Sequence, residues 1–558
     1  MFVRLTTAFD HSCDNKIENF EGEFKDTGTF LKAISILPYI HRLGINTIYL
    51  LPITSIGEDA KKGTLGSPYA IKNPYKLDDN LSEPMLEMSI EDEFKAFSEA
   101  VHLLGMELVC EFVFRTASID SDLTLEHPDW FYWINNRIKD RENGDTSESK
   151  YGPPIYLKKE LEAIKKKVEL SDFSNSIQPH EQFRRMFTET PKKVARVDGK
   201  IMGLLSDKKT EVRIPGAFAD WPPDDNQPAW SDVTYLKLFD KNDFNYIAYN
   251  TIRMYDTELS KDVNAVKNLW NYISGIIPYY IKNYHIDGVM IDMGHALPTR
   301  LRKQIVSEAL QVNEKFYFWE ENFSVSSSSL HEGYSAVVGY LPFDVNNPYK
   351  MRELIRKFSK KEFPINFFGT GENHNTPRCY SRISSLEFLK SLYCINLFLP
   401  NYTFIHSGFE IAEANPVNTG LDFTSEQITE FPPEKLGLFS NISFNWNNTN
   451  IVDYIQSVNQ LKSKFIIDED DIHDTDVQLI DVNDNRLVGF FRRDKISMTE
   501  ILIISNFSND NIFQAEVLNM GGVSKVENLV TNITSDVVND AIKIDFEPYQ
   551  VKIYKLHY

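Results

Sequence analysis

Apolar positions along this chain follow two rhythms, and the switch between them divides it. Over residues 29–43 apolar side chains recur at three- and four-residue intervals, which predicts an amphipathic helix. Gly44-Ile45-Asn46-Thr47-Ile48-Tyr49-Leu50-Leu51-Pro52 then predicts a parallel strand buried on both faces. A helix over 94–104 and a second buried strand over 107–114 repeat the unit, which implies a parallel sheet or barrel. The same rhythm returns over about 245–450, with strands predicted at 285–292, 315–321, 335–342, 365–369 and 402–407. After about 455 the period falls to two, as in 486–492, 501–507 and 541–546, which predicts an antiparallel β-sandwich. Residues 119–244 fit neither rhythm. They hold polar loops, a Lys-rich helix over 157–167 and Trp/Pro-rich runs at 129–133 and 219–223. That stretch is too aromatic for a linker, so it reads as an insertion at the mouth of the parallel sheet.

Charge and composition narrow the partners. The net charge of −21 over 558 residues disfavours nucleic acid and anionic membrane, both of which reward a basic face. The aromatic share of 13% is high; most of it must be core, and some suits stacking on sugar rings. Four cysteines show no CxxC spacing and no disulfide framework, and Cys110 sits in a strand-like apolar run. Residues 1–10 lack a basic region followed by a long apolar run, so no signal peptide is expected, and no apolar stretch reaches spanning length. A cytoplasmic location is the expectation.

Candidate chemistry gathers at strand ends. Ile286-Asp287-Gly288-Val289-Met290-Ile291-Asp292 places Gly288, Met290 and Asp292 on one face, with Asp292 last. In a parallel barrel that end is where enzymes keep their chemistry. The structural alternative for Asp292 is a helix cap. Glu111 and Arg115 share parity with Val113, which aims Arg115 into the mouth and turns Cys110, Phe112 and Phe114 towards the helices. Tyr317-Phe318-Trp319-Glu320-Glu321-Asn322-Phe323 supplies two adjacent carboxylates, one of which faces inward. Gly371-Glu372-Asn373-His374-Asn375-Thr376-Pro377-Arg378 supplies an imidazole, and Gly66-Ser67-Pro68-Tyr69 a tyrosine on a tight turn.

In this order and spacing the set resembles the α-amylase superfamily, glycoside hydrolase family 13, over essentially the whole chain. Gly66-Ser67-Pro68-Tyr69 is similar to the turn whose tyrosine stacks on the sugar being cleaved. Gly288-Val289-Met290-Ile291-Asp292 is similar to the nucleophile strand, and Glu321-Asn322-Phe323 to the acid/base strand end. Glu372-Asn373-His374-Asn375 and Ile405-His406-Ser407-Gly408-Phe409-Glu410-Ile411 resemble its seventh and eighth strand ends. Arg115-Thr116 stands where most amylases carry Asn-His; with His127-Pro128-Asp129-Trp130-Phe131, His295 and Pro298 this resembles the maltosyltransferases.

The resemblance implies a (β/α)₈ TIM barrel with a long insertion after strand 3 and a C-terminal all-β sandwich. The implied divisions are 1–118, 119–244, 245–454 and 455–558. It implies Asp292 as nucleophile and Glu321 as acid/base, with Tyr69, Arg115, His295, His374 and Asn375 on the substrate. It implies a retaining double displacement on an α-1,4-glucan or maltooligosaccharide, with phosphate or maltose 1-phosphate as further candidate partners and no cofactor. Arginine cannot ligate a hard cation, so no metal is expected at the site. Three positions depart from the family pattern: Met290 replaces an arginine, Asn375 an aspartate and Glu111 an aspartate. Arg115 is therefore expected to bring a replacement positive charge within about two hydrogen-bond lengths of Asp292. The alternatives are an α-glucan hydrolase and an inactive carbohydrate-binding member of the family.

Overall fold

A computed structural model describes the chain except residues 19–23, 137–155, 218–230, 249–255, 340–346, 447, 466–471, 473–475 and 495. Its centre is a curled parallel sheet of seven strands among the described residues. In spatial and chain order these are β1 Thr47–Leu50, β2 Glu107–Phe112, β3 Gly288–Ile291, β4 Tyr317–Glu320, β5 Ala336–Val337, β6 Asn366–Gly369 and β7 Tyr402–Thr403. Sequential strands are spatial neighbours, the usual outcome of short βαβ connections. The eightfold expectation asks for one strand more. Along the β1 edge lies Met1, which accepts from the Leu51 N–H at 3.0 Å and donates its amino group to the Tyr49 carbonyl. Beside it a cavity of ≈ 950 Å³ runs along the sheet wall, lined by Tyr39, Tyr49, Trp319, Tyr402 and Phe404.

Helices cover the outer face because their apolar stripes match the outward strand positions. Helix α1, Phe30–Arg42, starts where Thr29 Oγ1 accepts from Lys32 N, and it buries Phe30, Ala33 and Leu37. Helix α2, Ile90–Leu103, is capped by Ser89 and carries Glu91, Asp92 and Glu93 in its first turn, where the helix dipole favours them. On the strands, Leu108, Cys110, Phe112, Val289, Ile291, Phe318 and Phe367 join that outer cluster. The alternate positions Val109, Met290, Trp319, Ala336 and Phe368 form a separate inner cluster with Tyr49, Tyr402 and Phe404. Period-two alternation thus separates an outer apolar layer from a lumen whose upper end is polar.

Register sets the height of the site. Met290 pairs with Glu111 and with Trp319, and Ile291 pairs with Phe112 and Glu320. Asp292 N bonds Phe112 O and Glu321 N bonds Ile291 O, each at 3.0 Å, so Asp292 and Glu321 leave adjacent strands at one level.

The stretch after β2 folds back on the mouth. Thr116–Ser118 pairs antiparallel with Val233–Tyr235, and Ile134–Asn135, Glu211–Arg213, Lys200–Leu204 and Lys193–Val197 form a four-stranded sheet. The Lys-rich helix spans Lys158–Glu169; Trp221 lies outside the described residues. At the C-terminus a six-stranded and a three-stranded antiparallel sheet enclose Leu502, Ile504, Val517, Ile542 and Phe546. The opposite face of the larger sheet, through Phe490, Ile501, Ile503 and Ile553, packs into the main core. Among the described residues no helix is long and apolar enough to cross a membrane.

Candidate active site

Three carboxyls meet on the inner face of three neighbouring strands: Glu111 on β2, Asp292 just past β3 and Glu321 just past β4. Asp292 keeps 5% of its surface exposed and Glu111 1%. Glu321 and Asp292 share a side-chain hydrogen bond. Burial pushes Glu321 well above the usual carboxylate range, and the charges of Asp292 and Glu111 and the bond to Asp292 push it further. Burial also raises Asp292, but Arg115 and the bond from Glu321 pull it back. Both carboxyls stay raised, Glu321 the further, and Glu321 is the donor in the bond between them. A difference of that sign suits one carboxyl to give a proton and its neighbour to act as the anion.

Backbone strain helps hold the acid. Met293, immediately after Asp292, sits at φ 44°, a region that non-glycine residues seldom occupy. That turn aims the Met293 N–H at Glu321 Oε2, 3.2 Å away. The adjacent Glu320 faces the other way. Its Oε2 accepts from Ser329 Oγ at 2.6 Å and from Asn322 Nδ2 at 3.3 Å, and its Oε1 lies 3.9 Å from Arg302. Of the doublet, Glu321 is the one in the lumen.

Arg115 Nε lies 3.9 Å from Asp292 Oδ2, inside the limit set for a replacement charge. Its guanidinium carbon stands 5.9 Å from the centre of the Tyr235 ring, and its carbonyl accepts from Leu236 N at 3.0 Å, so the returning strand Val233–Tyr235 steadies it. Met290 is buried among Val109, Trp319 and Phe368 and contributes packing where an arginine would contribute charge.

Opposite the carboxyl pair, Tyr69 and His374 stack at 6.1 Å and 12°, with Tyr69 Oη 2.8 Å from His374 Nε2. Tyr69 also hydrogen-bonds Glu111, as does Tyr49. A phenol has one proton; given to Glu111, it leaves His374 Nε2–H to donate to the Tyr69 oxygen. The imidazole is neutral, since burial, then His406 and the terminal amine, lower it to about 3. Glu111 is pushed up to about 8 by burial and by Asp292, against the two phenols.

Two further sequence candidates sit off this centre. Asn375 Oδ1 accepts from Asn418 Nδ2 at 2.9 Å and its carbonyl from Leu421 N at 2.6 Å, which turns it towards the 415–421 loop. His295 bonds the Glu321 backbone and is lowered to about 4 by burial, Arg115 and Arg302. It stands behind the acid. Tyr49 went unnoticed in the sequence; the available signal was a hydroxyl at an inward position of a buried run. Among the described residues no group of three or more His, Cys, Asp or Glu side chains is arranged to hold a metal ion.

No family model matches the chain. An alpha-1,4-glucan:maltose-1-phosphate maltosyltransferase of Cereibacter sphaeroides is 33% identical over 151 residues, covering 25% of this chain and 25% of that protein. A protein of the same name from Myxococcus xanthus is 36% identical over 126 residues, 21% of this chain and 18% of that one. The matches thus span a quarter or less of these relatives. Over nearly the whole chain the structure is similar to an alpha-amylase from Lactobacillus plantarum (TM-score 0.61, 17% identity, 100% of this chain and 97% of that one). It is also similar to a noncanonic maltogenic alpha-amylase from Thermotoga neapolitana (TM-score 0.60, 16% identity, 97% of each). The chain has the fold of the α-amylase enzymes, and its local sequence resemblance is to maltosyltransferases.

Proposed function

We propose that this protein is a retaining, α-1,4-glucan-acting enzyme of the α-amylase superfamily, of maltosyltransferase type. The observation that carries the reading is the hydrogen-bonded Asp292–Glu321 pair on adjacent strand ends, Asp292 beside Arg115 and Glu321 the more strongly raised of the two. Asp292 attacks the anomeric carbon while Glu321 gives its proton to the leaving glycosidic oxygen. Glu321 then takes a proton from the acceptor hydroxyl as that oxygen attacks the glycosyl-Asp292 ester. Retaining glycoside transfer works with carboxyls roughly 5–5.5 Å apart. A sugar entering between them must therefore replace their mutual hydrogen bond, and the Glu321 proton is redirected to the substrate. Tyr69 offers a ring face at the cleaved residue and His374 hydrogen bonds to its hydroxyls.

The local maltosyltransferase similarity supports transfer over hydrolysis and makes maltose 1-phosphate a donor to test. Purified protein with maltotetraose, with and without phosphate, beside Asp292→Ala, decides it. A product ladder spaced by two glucose units, lost in the variant, is expected; glucose and maltose alone would favour the hydrolase. A second reading, a sugar-binding protein without turnover, draws on Met290 in its apolar cluster and on Asn375 bound to Asn418. Retained sugar binding with no product, and activity gained in Met290→Arg, would establish it.

A further inference from the structure

Beside the carboxyl pair lies a second buried polar cluster, between the ends of β6 and β7. Arg378 is fully buried and its guanidinium serves several acceptors at once. The two Nη1 hydrogens are shared among Glu372 Oε1 at 2.6 Å, His406 Nδ1 at 2.8 Å and the Ser407 carbonyl at 3.0 Å; Nε donates to the Asn415 carbonyl at 3.1 Å. Glu372 Oε2 accepts from Cys379 N at 2.6 Å, and the guanidinium carbon lies 5.4 Å from the Phe444 ring centre. Gly408, at φ +97°, leaves the room: a Cβ there would stand 3.1 Å from Arg378 Nη2.

The Glu372–Arg378 bond closes residues 373–377 into a short ring that carries His374. Within it Asn373 N bonds Thr376 Oγ1 at 3.0 Å and Asn375 N bonds Asn373 Oδ1 at 2.9 Å. We infer that Arg378 is a positioning residue that fixes His374 for sugar contact by tying this ring to the chain after β7. The inference rests on the glucan-acting reading for what His374 touches, but the geometry stands without it. His374 has two holds, its own bond to Tyr69 and the ring behind it; Arg378 docks the ring at its closing end, and Asn375 bonds the 415–421 loop through Asn418 Nδ2 and Leu421 N. A planar fork with fixed N–H directions can reach carboxylate, imidazole and two carbonyls together; a lysine ammonium keeps the charge and loses that spread.

The test compares Arg378→Lys and Glu372→Gln with Tyr69→Phe, in the full chain labelled at the histidine ring for NMR. The His374 resonance is identified by its loss in His374→Ala, and the remote His102 and His557 resonances report whether each variant is folded. Both ring variants are expected to move the His374 resonance, as Tyr69→Phe does. With maltotetraose the same variants should raise KM about tenfold with a smaller change in kcat, inside the ~100-fold that a 1 Å misplacement can cost. Combining Arg378→Lys with His374→Ala should add nothing to His374→Ala alone. An unmoved His374 resonance in folded variants, or losses that multiply in the double variant, would overturn the inference. Absence of any product from the wild type would count against the proposed activity, while the resonances still decide the positioning role.

Discussion

Half-buried Glu321 and buried Glu372 both stand at the mouth of one sheet, yet their protons are driven in opposite directions. Glu372 is 1% exposed, and burial alone would raise it; Arg378, His406 and the Cys379 N–H outweigh that and hold it below the usual range. Glu321 is raised by burial and raised again by Asp292 and Glu111. The difference is the balance of charge within reach. Around Glu372 a guanidinium stands at 2.6 Å, close enough to outweigh burial and the more distant carboxyl of Glu410. At Glu321 three carboxyls stand together with Arg115, whose Nε lies 3.9 Å from Asp292 Oδ2. What separates the proposed reacting carboxyl from Glu372 is the lack of a close guanidinium, which leaves burial and neighbouring carboxyls to raise it.

Four experiments bear on that contrast. Removing the reacting pair should have the largest effect: Asp292→Asn or Glu321→Gln is expected to lower kcat by at least about 10³-fold, since groups acting as a unit fail together. The check is product formation from maltotetraose; unchanged turnover in either variant would end the proposed assignment. Glu372→Gln should lower stability as well as raise KM, because it leaves the Arg378 charge without its anion. Breaking a buried pair costs about 3–5 kcal/mol, read as a lower midpoint in urea unfolding. Arg115→Met should cost roughly 10²-fold in kcat/KM, in the range seen when a preorganised stabilising group is lost. Arg115 holds Asp292 down, so its loss raises Asp292 and the acid limb of the rate profile should move to higher pH. An acid limb that stays in place would show that Arg115 does not reach the nucleophile.

The smallest effect expected is a slope. In the unfolded chain Glu111 titrates as an ordinary carboxylate, whereas folded it keeps its proton to about 8. Across the window between, the folded state binds more protons than the unfolded one, so this group's contribution falls as pH rises. Its stabilising share is present below the ordinary carboxylate range and lost by about pH 8. Melting temperatures measured across that window should fall less steeply in Glu111→Gln than in the wild type. Parallel slopes would place Glu111 outside the coupled group.

Much of this architecture was legible as pattern. The strand predicted over 107–114 forms as Glu107–Phe112, and that over 285–292 as Gly288–Ile291, with the helix expected over 29–43 at Phe30–Arg42. Parity was enough to send Cys110, Phe112 and Phe114 outward and to aim Arg115 at the lumen, since adjacent side chains on a strand must face opposite sides. The spans shortened at strand ends, where pairing stops before the apolar run does.

Sequence by itself determined the alternation, the chemistry carried at each strand end and that only one carboxyl of the 320–321 doublet faces inward, because each of these depends on local period; the choice of Glu321 came from the family resemblance. Tertiary structure alone decided the rest. It set the register that brings Asp292 level with Glu321, the phenol of Tyr49 on Glu111, and the ring that Arg378 closes behind His374. It also turned Asn375 towards Asn418 and placed His295 behind the acid. Those facts depend on distances between residues far apart in the chain, and no local period encodes them.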